Sequence, residues 1–264
     1  MNPYQEIRKV PLDFNGLKSS AFAVQRLDED KGWKEAGIVR ENYLLVPNEG
    51  VRDAAEMIAN ETNIKFEFDR EFFNGHSFIY SMKSSETMGE IRVGDDVSLG
   101  LQFWNSYDGS RSFGFSMMLY RLICTNGMMS KEAFSTHRFS HTPGKDADWI
   151  ETCENAVNKI NLISSGGDHK VSKFISNLRK LDSYKLTSRE LGHIRHRHLK
   201  DIPTSIWGSI LDRFLDPQLG YYEETNAWGL LNSATDILWH KDKPNLAGYN
   251  QNAKIVDGLI AAVA

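Results

Sequence analysis

LQFWNSYDGSRSFGFSMMLYRLICTNGMM, residues 101–129, carries the pattern that decides the fold. Two apolar runs, at 97–104 and 112–118, flank the dipeptide Asp108-Gly109. A type I′ turn needs positive φ at both of its central residues, and Asp-Gly tolerates this conformation. The sequence therefore predicts a β-hairpin whose strands are joined by a type I′ turn at Asp108-Gly109.

The same stretch also concentrates polar side chains that could hold a ligand. Asn105, Ser106 and Arg111 are close to the predicted turn. They either support the turn or project from the hairpin to bind a phosphate or another polar group. Further along, Asn126-Gly127 is typical of a turn or a helix cap.

Cys124 lies between these two groups and has two interpretations. A cysteine that follows Leu122-Ile123 is typical of a small buried hydrophobic residue. As a nucleophile it would need a neighbouring base that lowers the pKa of its thiol. The nearest candidates in sequence are His137 and His141.

Strand and helix signals precede the hairpin. Residues 1–37 have an irregular pattern broken by glycines, whereas 43–46 are apolar and predict a short buried strand that Pro47 ends. Asn48 is a candidate N-cap for an amphipathic helix over 49–61, where apolar residues recur at helical spacing.

More hairpins are predicted between this helix and residue 101. Residues 65–68 and 76–82 alternate like strands, with Asn74-Gly75 as the turn between them. Gly94-Asp95-Asp96 predicts another turn. The segment 117–124 is apolar on nearly every side, so its periodicity fits a strand or a helix.

The pattern becomes helical after residue 145. We predict an α+β fold, with a small antiparallel sheet and its hairpins in the N-terminal half and a helical C-terminal half. The corresponding regions are 1–145 and 146–264, either as two domains or with one shared core. One helix is expected from 146 until the break at 164–167, and further helices near 171–181, 188–199, 204–215, 226–240 and 252–263.

Composition and charge restrict the partners. The chain of 264 residues is 41% hydrophobic and 25% charged, as in ordinary globular proteins. Its formal net charge is −4, so any contact with nucleic acid has to be local. The N-terminus has no apolar core of signal-peptide length, and no apolar run approaches the ~18 residues that span a membrane. Only two cysteines occur, which favours a reducing cytoplasm.

Standard catalytic and cofactor motifs are missing. The sequence has no Gly-rich phosphate loop, dinucleotide-binding glycine triplet, Gly-x-Ser-x-Gly or His-Glu-x-x-His. In HIRHRH, residues 193–198, Glu190, His193 and His196 could share one helix face and bind a divalent metal. The neighbouring arginines would repel a cation, so a solvated basic face or a contact with an anion are the alternatives. We expect no metal and no cofactor.

The segment 170–200 is the clearest charge anomaly. Nine basic and two acidic residues give it a charge of +7, so the rest of the chain carries −11. Such segregation focuses positive potential on one region. Phe174 and Tyr184 lie among the cations, a combination that suits stacking on unpaired bases. The predicted nucleic-acid contacts are Lys173, Arg179, Lys180, Tyr184, Arg189, Arg195, Arg197 and Lys200.

TNAWGLLNSATDILWH, residues 225–240, predicts a buried helix. Trp228, Leu231, Leu238 and Trp239 supply its apolar bulk. Two polar positions, Asn232 and Thr235, are one turn apart and are expected to be hydrogen-bonded within the core.

Several of these stretches together resemble a family of phage- and plasmid-like proteins known as a domain of unknown function. They are ENYLLVPNEGVRDAAE (41–56), FWNSYDGSRSF (103–113) with LYRLICTNGM (119–128), and NAWGLLNSATDILWH (226–240). The specific part is Asn-Ser-(aromatic or His)-Asp-Gly-(Ser/Thr) followed by Cys-x-Asn-Gly. Members commonly have histidine where Tyr107 stands, which argues against catalysis at that position. The signature residues here are Asn105, Ser106, Tyr107, Asp108, Gly109, Ser110, Cys124, Asn126 and Gly127.

The resemblance implies a mobile element and the cytoplasm of a bacterial host. Together with the +7 segment, it favours a non-catalytic DNA-binding protein that binds or anneals single strands in replication or recombination and forms homo-oligomers. One alternative is a protein that binds and blocks a host defence factor. The other is an enzyme acting on nucleic acid or nucleotides, with Asn105, Asp108 and the histidines near its site.

Overall fold

The computed structural model describes residues 1–122, 126–128, 130, 134, 136–144, 146–216, 225–239 and 246–263. Within these residues there are nine strands and seven helices, and the predicted α+β class is confirmed. Antiparallel sheets occupy the N-terminal half and helices the C-terminal half. The strands are β1 (Ile7–Phe14), β2 (Leu17–Asp28), β3 (Gly32–Arg40), β4 (Phe66–Phe73), β5 (Ser77–Glu90), β6 (Asp96–Ser106), β7 (Phe113–Arg121), β8 (Asn126–Met128) and β9 (Thr136–Phe139).

The first sheet is the antiparallel meander β1-β2-β3. It occupies the region that was expected to be irregular, so that expectation is wrong. Asn15 and Gly16 have φ of 53° and 83° and alone separate β1 from β2. Positive φ at two successive residues is the conformation of a type I′ turn, for which Asn-Gly is the preferred pair. In the sequence, glycines at bends interrupt the apolar pattern that would have predicted these strands.

The second sheet has the strand order β4-β5-β6-β7-β8, with β9 also paired to β7. The predicted hairpin at Asn74-Gly75 is confirmed, since these residues lie between β4 and β5 and Gly75 has φ 102°. The turn at Gly94-Asp95-Asp96 is also present, and 117–121 continue β7 as a strand. Residues 43–46 belong to no strand, so the short strand predicted there is wrong.

The helices lie close to their predicted positions. Asp168 caps α3 by accepting from the backbone N–H groups of Lys170 and Val171, and Thr187 and Glu190 form a capping box on α4. The bounds are α1 (Asn48–Glu61), α2 (Asp146–Ser164), α3 (His169–Ser183), α4 (Ser188–Arg197), α5 (Thr204–Phe214), α6 (Ala227–Trp239) and α7 (Leu246–Val263).

The chain divides into two compact units. The first contains residues 1–83, 101–116 and 136–161, and the second contains 84–100, 117–135 and 162–264. Each unit includes residues from both sides of residue 145, and a domain boundary at 145 stays a prediction. In the first unit, a core cluster joins Val24, Ala36, Val39 and Tyr107.

The second unit is built around α6 and a buried ion pair. Helix α6 packs against α3, α5, α7 and β8. Asn232 and Thr235 are each 1% exposed and donate hydrogen bonds to carbonyls of their own helix, as expected. Arg121 donates two hydrogen bonds to the Asp95 carboxylate, at 2.6 and 2.8 Å. Trp228 Nε1 donates to the same carboxylate at 2.9 Å.

None of the helices in the described part of the chain combines the length and apolar character that crossing a membrane requires.

Candidate functional site

The signature hairpin has a longer loop than its sequence predicts. Strand β6 ends at Ser106 and β7 begins at Phe113, so the connection covers residues 107–112. Gly109 has φ 70°, but Asp108 does not have positive φ. The predicted type I′ turn at Asp108-Gly109 is therefore wrong. The hairpin itself is present, with a wide polar loop at its end.

Hydrogen bonds within this loop fix its shape. Ser106 Oγ accepts from the Arg111 backbone N–H at 3.2 Å and donates to the Arg111 carbonyl at 3.0 Å. The Asp108 carboxylate accepts from the backbone N–H and the hydroxyl of Ser110, at 3.0 and 2.6 Å. Ser106 and Asp108 thus close the loop at its base and near its tip. Both side chains are thus engaged in hydrogen bonds within the loop itself.

Asn105 and Tyr107 connect the hairpin to helix α1 inside the first unit. Asn105 Nδ2 donates to the Val46 carbonyl and to Asn48 Oδ1, at 2.8 and 2.9 Å. The backbone N–H of Asn48 donates to the Tyr107 hydroxyl at 3.0 Å, which satisfies a donor at the start of the helix. Burial raises the pKa of Tyr107 to about 12. Both side chains are almost fully buried, so they position the loop instead of touching a ligand.

Asn48 itself differs from its predicted role. The helix already includes Asn48, and Pro47 stands at the N-cap without a side-chain hydrogen bond. The Asn48 side chain is 1% exposed and donates to the Pro3 carbonyl at 2.9 Å. The N-cap prediction is therefore wrong, because the amide is used inside the core and not on its own helix end.

A cavity of about 530 Å³ opens beside the loop, within the first unit. Its charged and aromatic lining includes Arg40, Tyr43, Asp108, Arg111 and His141. Burial lowers the pKa of Arg111, and Asp108 opposes this shift. Burial also lowers the pKa of His141, against smaller opposing effects of its hydrogen bond to Leu44 and of Asp108. Polar side chains complete the wall: Asn42, Ser112, Ser140 and Thr142.

The second part of the signature belongs to the other unit. Asn126 and Gly127 lie on β8, which pairs with β7, so neither forms the predicted turn or helix cap. A Cβ at Gly127 would lie 2.5 Å from the Trp239 ring, and Asn252 Nδ2 donates to the Gly127 carbonyl at 2.8 Å. Gly127 therefore allows a close approach of α6 to the strand. Cys124, the candidate nucleophile, lies outside the described residues.

Helix α3 presents a basic stripe. Lys170, Lys173, Asn177 and Lys180 recur at spacings of three and four, which places them along one side of the helix. The three lysines are exposed. On α4, Arg189, His193, His196 and Arg197 are likewise exposed.

Most cations of the 170–200 segment have no partner of opposite charge. Eight of the nine are exposed, and seven of these form no ion pair and no side-chain hydrogen bond with any residue in the described ranges. They are Lys170, Lys173, Lys180, Lys185, Arg189, Arg197 and Lys200.

Three other residues of this segment serve the fold. Arg179 Nε donates to the Glu90 carbonyl at 2.8 Å. Arg195 donates to the carbonyls of Leu199 and Ile202, beyond the end of α4. Phe174 is 4% exposed and belongs to the core, so the expectation that it stacks on bases is wrong. Tyr184 remains half-exposed.

The possible metal ligands of HIRHRH are not assembled into a site. Glu190 accepts from the Thr187 backbone N–H at 2.6 Å as part of the capping box. This contact lowers the pKa of Glu190. No group of three or more histidine, cysteine or acidic side chains suited to a metal occurs among the described residues. The expectation of no bound metal stays a prediction.

Comparison with known proteins places the chain in a family. The model of the domain of unknown function DUF932 matches residues 35–258, which is most of the chain. The protein belongs to this family, as its sequence had indicated. No curated protein and no solved structure matches it.

Sequence reasoning missed the cavity, although it selected the loop beside it. Arg40, Tyr43 and His141 are contributed by segments about a hundred residues apart in sequence, and no spacing rule connects them. The sequence held only an indirect sign of this cavity. Gly37 on β3 leaves no room for a Cβ, which would lie 2.3 Å from Asp108 Cα, so β3 and the loop are in close contact.

Proposed function

We propose that this protein binds DNA, with a preference for single strands, and acts without catalysis. The contacts would come from exposed cations in the 170–200 segment of the second unit. One observation carries the proposal, namely seven exposed lysines and arginines whose side chains form neither ion pairs nor hydrogen bonds among the described residues, within a segment that carries +7 in an otherwise acidic chain.

Unpaired surface cations are suited to phosphate because they need not break an existing ion pair to bind it. Each contact with a backbone phosphate releases condensed counterions, which favours association and makes it depend on salt. The stripe on α3 also has the repeated spacing that an extended polyanion requires. Arg179 and Arg195 are excluded from the contact set because their guanidinium groups already bind carbonyls.

The preference for single strands rests on Tyr184. Its ring is half-exposed between the cations of α3 and α4 in sequence, and an aromatic ring can stack on an unpaired base. A base inside a duplex offers no free face to such a ring, so the side chain favours single strands.

The test is a salt series of binding to single- and double-stranded DNA. Replacing Lys173, Lys180, Arg189 and Arg197 with Gln should weaken binding to all sequences. It should also reduce the slope of log K against log salt by roughly two to three units on single strands, at about 0.7 per phosphate contact.

A second fourfold variant is the matched control. It carries Gln at four exposed positions outside the basic segment and has the same change in net charge. These positions are Lys31, Lys65, Arg138 and Lys254. Its salt slope should stay that of the wild type. Equal losses in the two variants would mean that only net charge matters. Failure of the wild-type protein to bind either form of DNA at low salt would refute the proposal.

Two substitutions of Tyr184 test strand preference. Tyr184→Ala should weaken single-strand binding more than duplex binding, whereas Tyr184→Phe keeps the ring and should retain most of the preference. Equal effects of Tyr184→Ala on both forms of DNA would exclude stacking by this residue.

A further inference from the structure

Two guanidinium groups in the cavity of the first unit lack counter-ions. Arg111 is half-buried and Arg40 is exposed at the rim. Neither side chain forms an ion pair or a hydrogen bond with a residue of the described ranges. Removing a cation from water without a partner costs free energy, and an anionic ligand would repay it.

His141 adds an unsatisfied acceptor to the same lining. It is 8% exposed, and its Nδ1 lies 2.8 Å from the Leu44 carbonyl. A nitrogen that faces a carbonyl carries the proton, so Nε2 is left as the acceptor of the neutral ring. Nε2 is buried and has no hydrogen-bond partner in the described part of the chain. Native structures rarely leave such an atom unpaired, and a ligand donor would satisfy it.

The rest of the lining suits a ligand that is part anion and part planar ring. Tyr43 stacks on His141 with their ring centroids 4.4 Å apart, and Ile38 at the edge is 56% exposed. The hydroxyls of Ser112, Ser140 and Thr142 can donate to phosphate oxygens. The volume of about 530 Å³ is within the range of roughly 300–1,000 Å³ found for small-molecule sites.

We propose that this cavity binds a small phosphate-bearing ligand of nucleotide size. Arg40 and Arg111 would bind the phosphate, and a small displacement of the His141 ring would let its buried Nε2 accept an N–H or O–H of the remaining part. Two guanidiniums, one carboxylate at Asp108 and a neutral imidazole give the lining one net positive charge, which favours a monophosphate over a triphosphate.

This site is independent of the proposed DNA contacts. The cavity belongs to the first unit and the basic segment to the second. If the protein binds DNA but no nucleotide, the proposal of DNA binding stands and this one fails. If it binds a nucleotide but no DNA, this proposal stands and that of DNA binding fails.

Calorimetric titration of the full chain tests the proposal with four probes. These are the 5′-monophosphates of adenosine and cytidine, inorganic phosphate, and adenosine. At least one monophosphate should bind with a Kd below about 1 mM, and about tenfold more tightly than either phosphate or adenosine. No binding of either monophosphate at ~10 mM, where a Kd of this order would saturate the site, would overturn it. Phosphate binding as tightly as both monophosphates would also overturn it.

Variants connect binding to the named residues. Arg111→Gln should weaken monophosphate binding by about tenfold or more, the loss of one charge-assisted contact. Arg40→Gln should act in the same direction and, as a change at an exposed residue, provides the test if Arg111→Gln does not fold. The control Arg138→Gln, an exposed arginine on β9 in the same unit, should leave binding unchanged.

His141→Phe separates the two ends of the ligand. It keeps an aromatic ring against Tyr43 and removes the Nε2 acceptor, so it should weaken monophosphate binding and leave inorganic phosphate binding intact. Unchanged monophosphate affinity in all three cavity variants would place the ligand elsewhere and overturn the proposal.

Discussion

Arg121 and Arg111 stand at opposite ends of β7 and have opposite surroundings. Arg121, in the second unit, is buried and forms two hydrogen bonds with Asp95, which Trp228 also contacts. Arg111, in the first unit, is half-buried beside a cavity, and its side chain forms no ion pair or hydrogen bond among the described residues. A buried cation whose partners are complete belongs to the fold, whereas one whose partners are missing is available for a ligand.

The largest effect is expected from breaking the complete pair. Asp95→Asn would remove the carboxylate charge that accepts two hydrogen bonds from the buried Arg121, and it should reduce the free energy of unfolding by about 3–5 kcal/mol. Urea denaturation measures this loss. The exposed carboxylate of Asp53, which pairs with Arg52 at 3.4 Å, provides a control, since Asp53→Asn should cost less than about 1 kcal/mol.

A second variant tests whether the loss comes from the Arg121 charge that Asp95 no longer balances. Replacing Asp95 with Asn and Arg121 with Met together removes both charges and should recover part of the stability, since a buried pair can be replaced by apolar residues. If the double variant is no more stable than Asp95→Asn alone, the loss of charge balance between Asp95 and Arg121 is not the cause.

The next largest effect concerns the polar contacts that position the loop near Arg111. Asn105→Ala removes the amide that donates to the Val46 carbonyl and to Asn48 Oδ1. It should lower the free energy of unfolding by about 1–3 kcal/mol. Thermal or urea unfolding provides the measurement. Asn60→Ala, at an exposed position of α1, should be neutral or slightly stabilising. Equal stability of the two variants would contradict a structural role for Asn105.

A smaller effect is expected at Gly109. Valine resists the φ of 70° found there, so Gly109→Val should destabilise the protein by ~1 kcal/mol. A Cβ would meet only Tyr43 and Val39, at 3.7 and 3.8 Å, so the cost lies in the backbone and not in a clash. Gly109→Asn should therefore cost less, because asparagine adopts positive φ more readily. A thermal melt that is unchanged by valine, or equally lowered by asparagine, would contradict this assignment.

The smallest effect on stability is expected at Arg111 itself. Arg111→Gln removes a half-buried charge whose side chain forms no ion pair or hydrogen bond among the described residues, so the free energy of unfolding should change by less than about 0.5 kcal/mol. Urea denaturation without ligand measures it. A loss that approaches that of Asp95→Asn would show that Arg111 is a structural residue, and the contrast between the two arginines would disappear.

The sequence predicted the fold class and the helices because helical periodicity is a local signal. The structure adds their caps, since Asp168 caps α3 and the capping box of Thr187 and Glu190 begins α4. Hairpin turns were harder to predict. Asn15-Gly16 forms a two-residue turn, whereas Asp108-Gly109 lies in a six-residue loop between β6 and β7. The dipeptides are similar, and contacts of the loop with Gly37 and Tyr43 make the difference.

Of the two candidate sites, one could be found from local sequence and the other depends on contacts between distant parts of the chain. The basic segment was visible because charge can be counted along the chain, yet its sequence did not reveal that Arg179, Arg195 and Phe174 are used inside the fold. The cavity was invisible for the opposite reason. Arg40 and His141 are brought together by tertiary packing, and neither lies in the signature.

The short connections of the β1-β2-β3 meander have a consequence for the order of folding. Its strands pair across loops of two and three residues, whereas the Asp95–Trp228 contact spans 133 residues of chain. Hairpins form within about 1–10 μs, and translation adds roughly 5–20 residues per second. The meander can therefore be paired on the ribosome roughly 10–40 seconds before Trp228 is synthesised. Pulsed hydrogen exchange during refolding should likewise protect the β2 amides before the Trp228 indole N–H.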